Sequence, residues 1–324
     1  YAAQQQRPQQ NNHCGNQSLD PSHKCPLSHK PCLLCTGTAA RYPKRRDIAP
    51  PICVADLFYG PGNNVIRLEQ PKVAAGQTFC KRKTAPTPPI SIMNITIHRA
   101  SSRGHANHGW LDTHHTFSFA NYFNPERMQF GALRVLNDDK VLPEEGFGTH
   151  PHKNMEVVSI PLKGRLRHGD SLNNSHTITR GEIQVMSAGT GIQHSEFNDS
   201  LTEPLEFLQI WIIPDRINTP PRYRDYDITP LLKHNEISTF LAPETDISIM
   251  QQAWFSWAEL DRGIEREYQF KGRNTGVYIF VIDGEIKIGD AILHSRDGAG
   301  ITDTETVSIE ALQNSTVLLM EVAV

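Results

Sequence analysis

The clearest pattern along the chain is alternation with period two, in short apolar runs broken by glycine, proline or Asp/Asn turns. That pattern predicts strands rather than helices. Met155 to Ile160 predicts a strand ending near Gly164, and Arg165 to His168 the strand that returns. Asp170 to Asn174 is a turn cluster, and Ile183 to Met186 alternates into a bend at Gly189 and Gly191. Leu205 to Ile213 is almost wholly apolar and fits a buried strand, which Pro214 ends because proline has no N–H for the ladder. A second set follows: Ile247 to Ile249, Gly276 to Ile282, a tight Asp283-Gly284 turn, Glu285 to Ile288, and Thr316 to Val322. Trp254 to Leu260 reads as a strand or a short helix. The order of elements in Val157 to His168 recurs in Tyr278 to Ile288, which suggests an internal duplication.

Composition divides the 324 residues near residue 92. Residues 1–92 hold twelve Lys/Arg against four Asp/Glu, twelve of the 22 prolines and all six cysteines. Residues 93–324 hold twenty Lys/Arg against thirty-one Asp/Glu and all four tryptophans. The first part is read as a basic, low-complexity extension, disordered or non-native, and the second as the folded body. A mis-set start before Met93 is one explanation for the join. No basic region followed by an apolar run opens the chain, so no classical secretion signal is visible. No run of 18 apolar residues exists, which argues against a membrane span. The net charge of −3 argues against nucleic acid as a partner. A body free of cysteine favours a reducing cytoplasm.

The candidate chemistry lies in two stretches. Gly148-Thr149-His150-Pro151-His152-Lys153-Asn154-Met155-Glu156 and Gly189-Thr190-Gly191-Ile192-Gln193-His194-Ser195-Glu196 each place two metal-ligand types two residues apart. On a strand that spacing puts both side chains on one face. His150, His152, His194 and Glu196 can thus close a mononuclear His3Glu site in a cupin-like barrel, with a position left open for substrate or oxygen. Glu156 keeps the same parity and either orients a ligand or is a polar residue of the core. His98, His105, His108, His114 and His115 line a mouth or make surface and backbone hydrogen bonds. His168 and His176 fall near loops, and His234 and His294 read as surface. In the extension, Cys32-Leu33-Leu34-Cys35 with Cys14, Cys25, His23 and His29 can be drawn as a zinc knuckle, but the spacing follows no common module. Lys44-Arg45-Arg46 reads as a solvated run.

Residues 93–324 resemble the pirin family, in particular its bacterial members of the quercetinase type. The resemblance rests on Arg103-Gly104-His105-Ala106-Asn107-His108-Gly109-Trp110-Leu111, His115-Thr116-Phe117-Ser118-Phe119-Ala120-Asn121-Tyr122, Gly146 to His152, and Met186 to Glu196. It implies an all-β bicupin of two β-barrels packed face to face: a metal-binding barrel over 93–215 and a degenerate one over 216–324. The family's ligands fall on His150, His152, His194 and Glu196, while Glu156 stays off the metal. The implied cofactor is one divalent metal ion, Fe(II) first, with Mn, Co, Ni, Cu and Zn left open by ligand type. The implied activity is a quercetin 2,3-dioxygenase-like ring cleavage of a flavonol or similar enol by O2 with release of CO, Glu196 taking the hydroxyl proton. Phe147, Met155 and Met186 are pocket candidates that ordinary packing also explains. The competing class is a non-enzymatic, iron-binding regulatory protein that acts through a protein partner. Two barrels covering each other's open faces predict a monomer.

Overall fold

The computed structural model describes residues 93–324. The expectations for residues 1–92, from the disordered extension to the zinc knuckle and the solvated run at Lys44-Arg45-Arg46, lie outside the described residues. The period-two pattern becomes strands throughout. The first half contains β1 (Asn94–His98), β2 (Gly104–Asn107), β3 (Leu111–His115), β4 (Leu133–Val141), β5 (Gly146–His152), β6 (Glu156–Lys163), β7 (Arg165–Asp170), β8 (Ser175–Thr179), β9 (Glu182–Ser187), β10 (Ile192–Asn198), β11 (Leu205–Ile212) and β12 (Arg222–Asp227). The second contains β13 (Ile237–Leu241), β14 (Ala253–Leu260), β15 (Glu265–Gln269), β16 (Thr275–Asp283), β17 (Glu285–Ile288), β18 (Ala291–His294), β19 (Gly298–Thr302), β20 (Thr306–Ala311) and β21 (Ser315–Ala323). Trp254 to Leu260, open between strand and helix on the sequence, is strand β14.

These strands form four antiparallel sheets. A seven-stranded sheet runs β12-β9-β6-β11-β4-β3-β2 and a six-stranded sheet runs β1-β19-β16-β21-β14-β13. Two four-stranded sheets run β5-β10-β7-β8 and β15-β20-β17-β18. The two large sheets meet across one apolar core, which takes Val158, Ile160, Leu208 and Ile210 from one and Phe255, Tyr278, Phe280 and Leu318 from the other. Alternation explains why β16 is apolar at almost every position. Tyr278 and Phe280 enter that central core, while Val277, Ile279 and Val281 enter a second core shared with Ile286, Val307 and Ile309 of the outer sheet. Each such side chain taken from water contributes roughly 1.5–3 kcal/mol before conformational entropy is set against it. β11 does the same in the other half. Leu208, Ile210 and Ile212 face the central core, and Leu205 and Phe207 pack with Leu166 and Ile178 of the outer sheet.

The two closed barrels expected from the sequence are not what the chain forms. The architecture is all-β and cupin-like, but each sheet ends in strands paired on one side only, β12 and β2 in the largest, and no ladder joins a sheet to itself. Closure comes from apolar faces packing together, which needs no hydrogen-bonded seam between the outermost strands. The first strand, β1, pairs with β19 of the second half, Asn94 opposite Thr302 and His98 opposite Gly298.

Candidate metal centre

β5 and β10 are neighbours in an outer sheet, antiparallel, with His194 opposite His150 and Ile192 opposite His152. The two-residue spacing on β5 and this register bring three imidazoles together. Their ring centroids lie 4.9 Å (His150–His152), 4.4 Å (His150–His194) and 4.8 Å (His152–His194) apart. One ligand atom from each lies within 4.8 Å of the others. The strands reach this geometry through a bend at Gly189 and Gly191, where Gly191 N–H donates to the Ala188 carbonyl at 2.8 Å.

The electrostatics suit a cation. Burial, followed by repulsion from His150, holds His152 down to about 4. Burial and then the neighbouring imidazoles hold His194 down to about 2. Both rings are therefore neutral near pH 7 and offer lone pairs rather than charge. His150 Nδ1 donates to the Gly148 carbonyl at 2.8 Å, which leaves Nε2 as its free lone pair. Neither ring nitrogen of the buried His194 has a hydrogen-bond partner. A buried polar atom without a partner costs free energy, and an ion between the rings supplies one. The three residues fit a divalent metal ion.

Glu196 is brought near but is held differently. It follows His194 on β10, across a register shift between the two. Its Oε1 accepts from Ser159 Oγ at 2.8 Å and Gln184 Nε2 at 3.5 Å, and its Oε2 accepts from Gln209 Nε2 at 2.6 Å. Burial pushes its carboxyl up to about 7 against those three donors, which act to lower it. The cluster of mutually close ligand atoms contains the three histidines and not Glu196.

Glu156 does not share this face. A turn with Asn154 at φ 51° separates β5 from β6, so the parity carried from His152 is lost. Glu156 instead accepts from Ser187 Oγ at 2.5 Å and Met250 N–H at 3.1 Å. Phe147 packs edge-on to Trp110 at 5.3 Å, in the apolar core of Leu166 and Phe207. Met186 is fully buried with Val157 and Ile192, and Met155 lies against that same cluster.

Residues 96–212 match the Pirin family, and residues 242–322 match the family described as quercetinase C-terminal cupin domain. Quercetin 2,3-dioxygenase of Escherichia coli strain K12 is 41% identical over 228 residues, spanning 70% of this chain and 98% of that protein. The chain belongs to the pirin family. A pirin-like protein of Caulobacter vibrioides is 35% identical over 224 residues, 68% of this chain and 96% of its own length. The crystal structure of YhhW from Escherichia coli matches with a TM-score of 0.68 at 40% identity, covering 71% of this chain and 99% of that one. A second crystal structure, of the bacterial pirin YhhW in complex with nickel(II), matches with a TM-score of 0.67 at 40% identity over 71% and 99%.

Around the histidine cluster stand side chains that the sequence did not assign to it. His168, expected near a loop, lies on β7 and is 1% exposed. Its ring is 5.4 Å from that of His194 and stacks on Tyr223 at 3.9 Å and 12°. His168 Nε2 pairs with Asp170 Oδ2 at 3.0 Å, while Nδ1 has no partner. Trp211 stands edge-on to His152, 4.8 Å away at 89°, and Phe119 stands edge-on to Trp211 at 5.3 Å. Alternation on β11, which puts Phe207, Gln209 and Trp211 on one face, is the signal from which Gln209 and Trp211 could have been found.

Proposed function

We propose that this chain is a metal-dependent dioxygenase of the quercetinase type, acting on a flavonol or a similar aromatic enol with O2. The observation that carries the reading is the convergence of three imidazoles, one with both nitrogens buried and unpartnered, beside a buried carboxyl. The 41% identity to a quercetin 2,3-dioxygenase supports the same substrate class. His150, His152 and His194 are the residues assigned to hold the metal, with Glu196 as the fourth member of the set. Fe(II) is the first choice, with manganese, cobalt, nickel, copper and zinc compatible with the same nitrogen and oxygen donors. When bound, the ion supplies a positive centre that favours the deprotonated enol and brings it and O2 together.

The chain's own residues do the rest. Glu196 accepts the proton of the substrate hydroxyl, the role of a general base. Ser159 and Gln209 orient its carboxylate through the hydrogen bonds described above. Trp211 and Phe119 offer aromatic surface to a flat substrate and keep water from the reacting atoms. In the net reaction both atoms of O2 enter the product, and one ring carbon leaves as CO.

Residues 93–215 are assigned as the metal-binding half and 216–324 as the half that closes the core, with β1 and β12 each paired into the other half's sheet. That core supports a monomer, because each half covers the other's apolar face. Among the described residues no helix is long and apolar enough to cross a membrane, and a reducing cytoplasm is the compartment we assign. The test is anaerobic loading with Fe(II), then oxygen uptake and loss of quercetin absorbance. Turnover abolished by both His152→Ala and Glu196→Gln supports the reading. Stoichiometric metal with no turnover on any flavonol overturns it.

A further inference from the structure

A second group of ligand-type side chains lies on the edge hairpin of the seven-stranded sheet. β2 is the edge strand, and it pairs with β3 so that His105 faces His114 and Asn107 faces Asp112. Residues 105 and 107 share one face of β2, and 112 and 114 share the same face of β3. The alternate residues of β3, Leu111, Thr113 and His115, are buried, so the 112/114 face is the one turned outward. The side chains of His105, Asp112 and His114 are 52%, 40% and 36% exposed.

We propose that this face is a second metal site, which takes a divalent cation of the zinc type through His105, Asp112 and His114. The two imidazoles stack, 4.4 Å apart at 16°, so their in-plane lone pairs run nearly parallel and a rotation of the rings turns them toward one ion. His105 Nε2 is 2.8 Å from Asp112 Oδ1, and His114 Nδ1 is 3.8 Å from the same oxygen. All three ligand atoms lie within 4.8 Å of one another. Zinc–nitrogen and zinc–oxygen bonds are about 2.0–2.2 Å, so donors around a tetrahedral ion stand about 3.3 Å apart. The ion therefore enters by opening the His105–Asp112 contact slightly and closing the Asp112–His114 one, within reach of side-chain rotation. Two nitrogens and one carboxylate oxygen leave a fourth position to water.

The surroundings favour the ion. Asn107 Oδ1 accepts from Gly109 N–H at 2.8 Å, which turns its amide Nδ2 toward Asp112 Oδ2 at 3.5 Å and steadies that carboxylate. The nearby cations are matched elsewhere. Arg103 pairs with Asp138 at 3.2 Å, and Lys140, opposite Asp112 on β4, lies 4.0 Å from Glu206. The group shares no residue with the His150 cluster, and the proposal does not rest on the reaction assigned there.

The test compares the full chain with His105→Ala/His114→Ala and Asp112→Asn variants. Each is stripped with chelator, equilibrated with excess Zn2+, desalted and assayed for metal per chain by mass spectrometry, with far-UV circular dichroism as the check on folding. Zinc held by the His150 cluster or by residues 1–92 is common to all three proteins and cancels. The wild-type chain is expected to retain one zinc more than either variant. Its Cu2+ form should show hyperfine coupling to two nitrogens that the double variant lacks. Equal zinc content in all three proteins overturns the proposal. If the double variant loses structure, the exposed and nearly isosteric Asp112→Asn change decides the matter by itself.

Discussion

Gln209 Nε2 donates to Glu196 Oε2 at 2.6 Å, which ties a side chain of the central sheet to the carboxyl beside the histidine cluster. Ser159, from the neighbouring strand β6, donates to the other oxygen and also contacts Gln209 Oε1 at 3.1 Å. Three neutral donors thus hold a carboxyl whose burial favours its protonated form.

This arrangement makes the metal-free chain sensitive to pH in a definite direction. The folded Glu196 titrates at about 7, above its ordinary value of 4.5. Between those values the folded chain holds a proton that the unfolded chain has released, so this group's contribution falls as pH rises. Glu196→Gln removes that loss. The variant, measured without metal by urea denaturation, should gain on wild type between pH 5 and pH 8, by up to about 3 kcal/mol. Asp139, raised to about 7 mainly by burial and in part by the charge of Glu196, is relieved by the same substitution and adds in the same direction, while the lowered His152 and His194 titrate in both proteins and cancel. A difference that does not change with pH would assign Glu196 an unshifted carboxyl.

His194 carries a different prediction, because neither of its buried nitrogens has a partner. Leucine fills similar space without polar atoms to satisfy. His194→Leu should leave the metal-free chain as stable as wild type, or more stable by about 1–2 kcal/mol. The rise in Tm that added metal gives to wild type should shrink to whatever the β2–β3 face contributes, since only a folded state that binds the ion is stabilised by it. Thermal melts with and without metal check both halves. A large loss of stability without metal would mean that the ring is a structural part of the core.

That His150 and His152 share one face could be read from the sequence because a two-residue spacing on a strand has one geometric meaning. What surrounds them could not. Ser159, Gln184 and Gln209 come from three strands and converge only through the register of β6, β9 and β11. His168 hides between Arg165 and Arg167 on one side and Asp170 on the other, in a stretch whose charges suggest a surface. Glu156 shows the converse error: its spacing from His152 is even, but the turn at Asn154 starts a strand in another sheet. Barrel closure failed for a related reason. Alternation records which face of a strand is buried and says nothing about which edges find partners.

Trp211 tests the aromatic wall. Its ring stands 4.8 Å from that of His152, and its Nε1 is buried without a partner. Trp211→Leu keeps apolar volume but removes the flat face, so the expected change is a higher KM for the flavonol with metal content unchanged. Loss of one aromatic contact worth about 1.4 kcal/mol corresponds to about a tenfold effect. Steady-state kinetics beside metal analysis separate this from damage to the metal site. A fall in metal content with KM unchanged would make the indole a support for His152 instead.

Gly189 and Gly148 make a matched pair for the last prediction. Gly189 has φ 46°, its carbonyl accepts from Asn154 N–H at 2.9 Å, and a Cβ there would run into the Thr219 carbonyl oxygen. A side chain at Gly189 therefore meets both backbone strain and a clash with backbone, neither of which a rotamer change can relieve. Gly189→Ala should cost about 2 kcal/mol or more, and it should weaken metal retention because this bend leads directly into β10 and His194. Gly148, two residues before His150, has open space where its Cβ would sit and does not adopt positive φ. Gly148→Ala should leave both the melting temperature and the metal content close to wild type. Equal effects of the two substitutions would mean that the bend at Gly189 relaxes freely and that the placement of His194 does not depend on it.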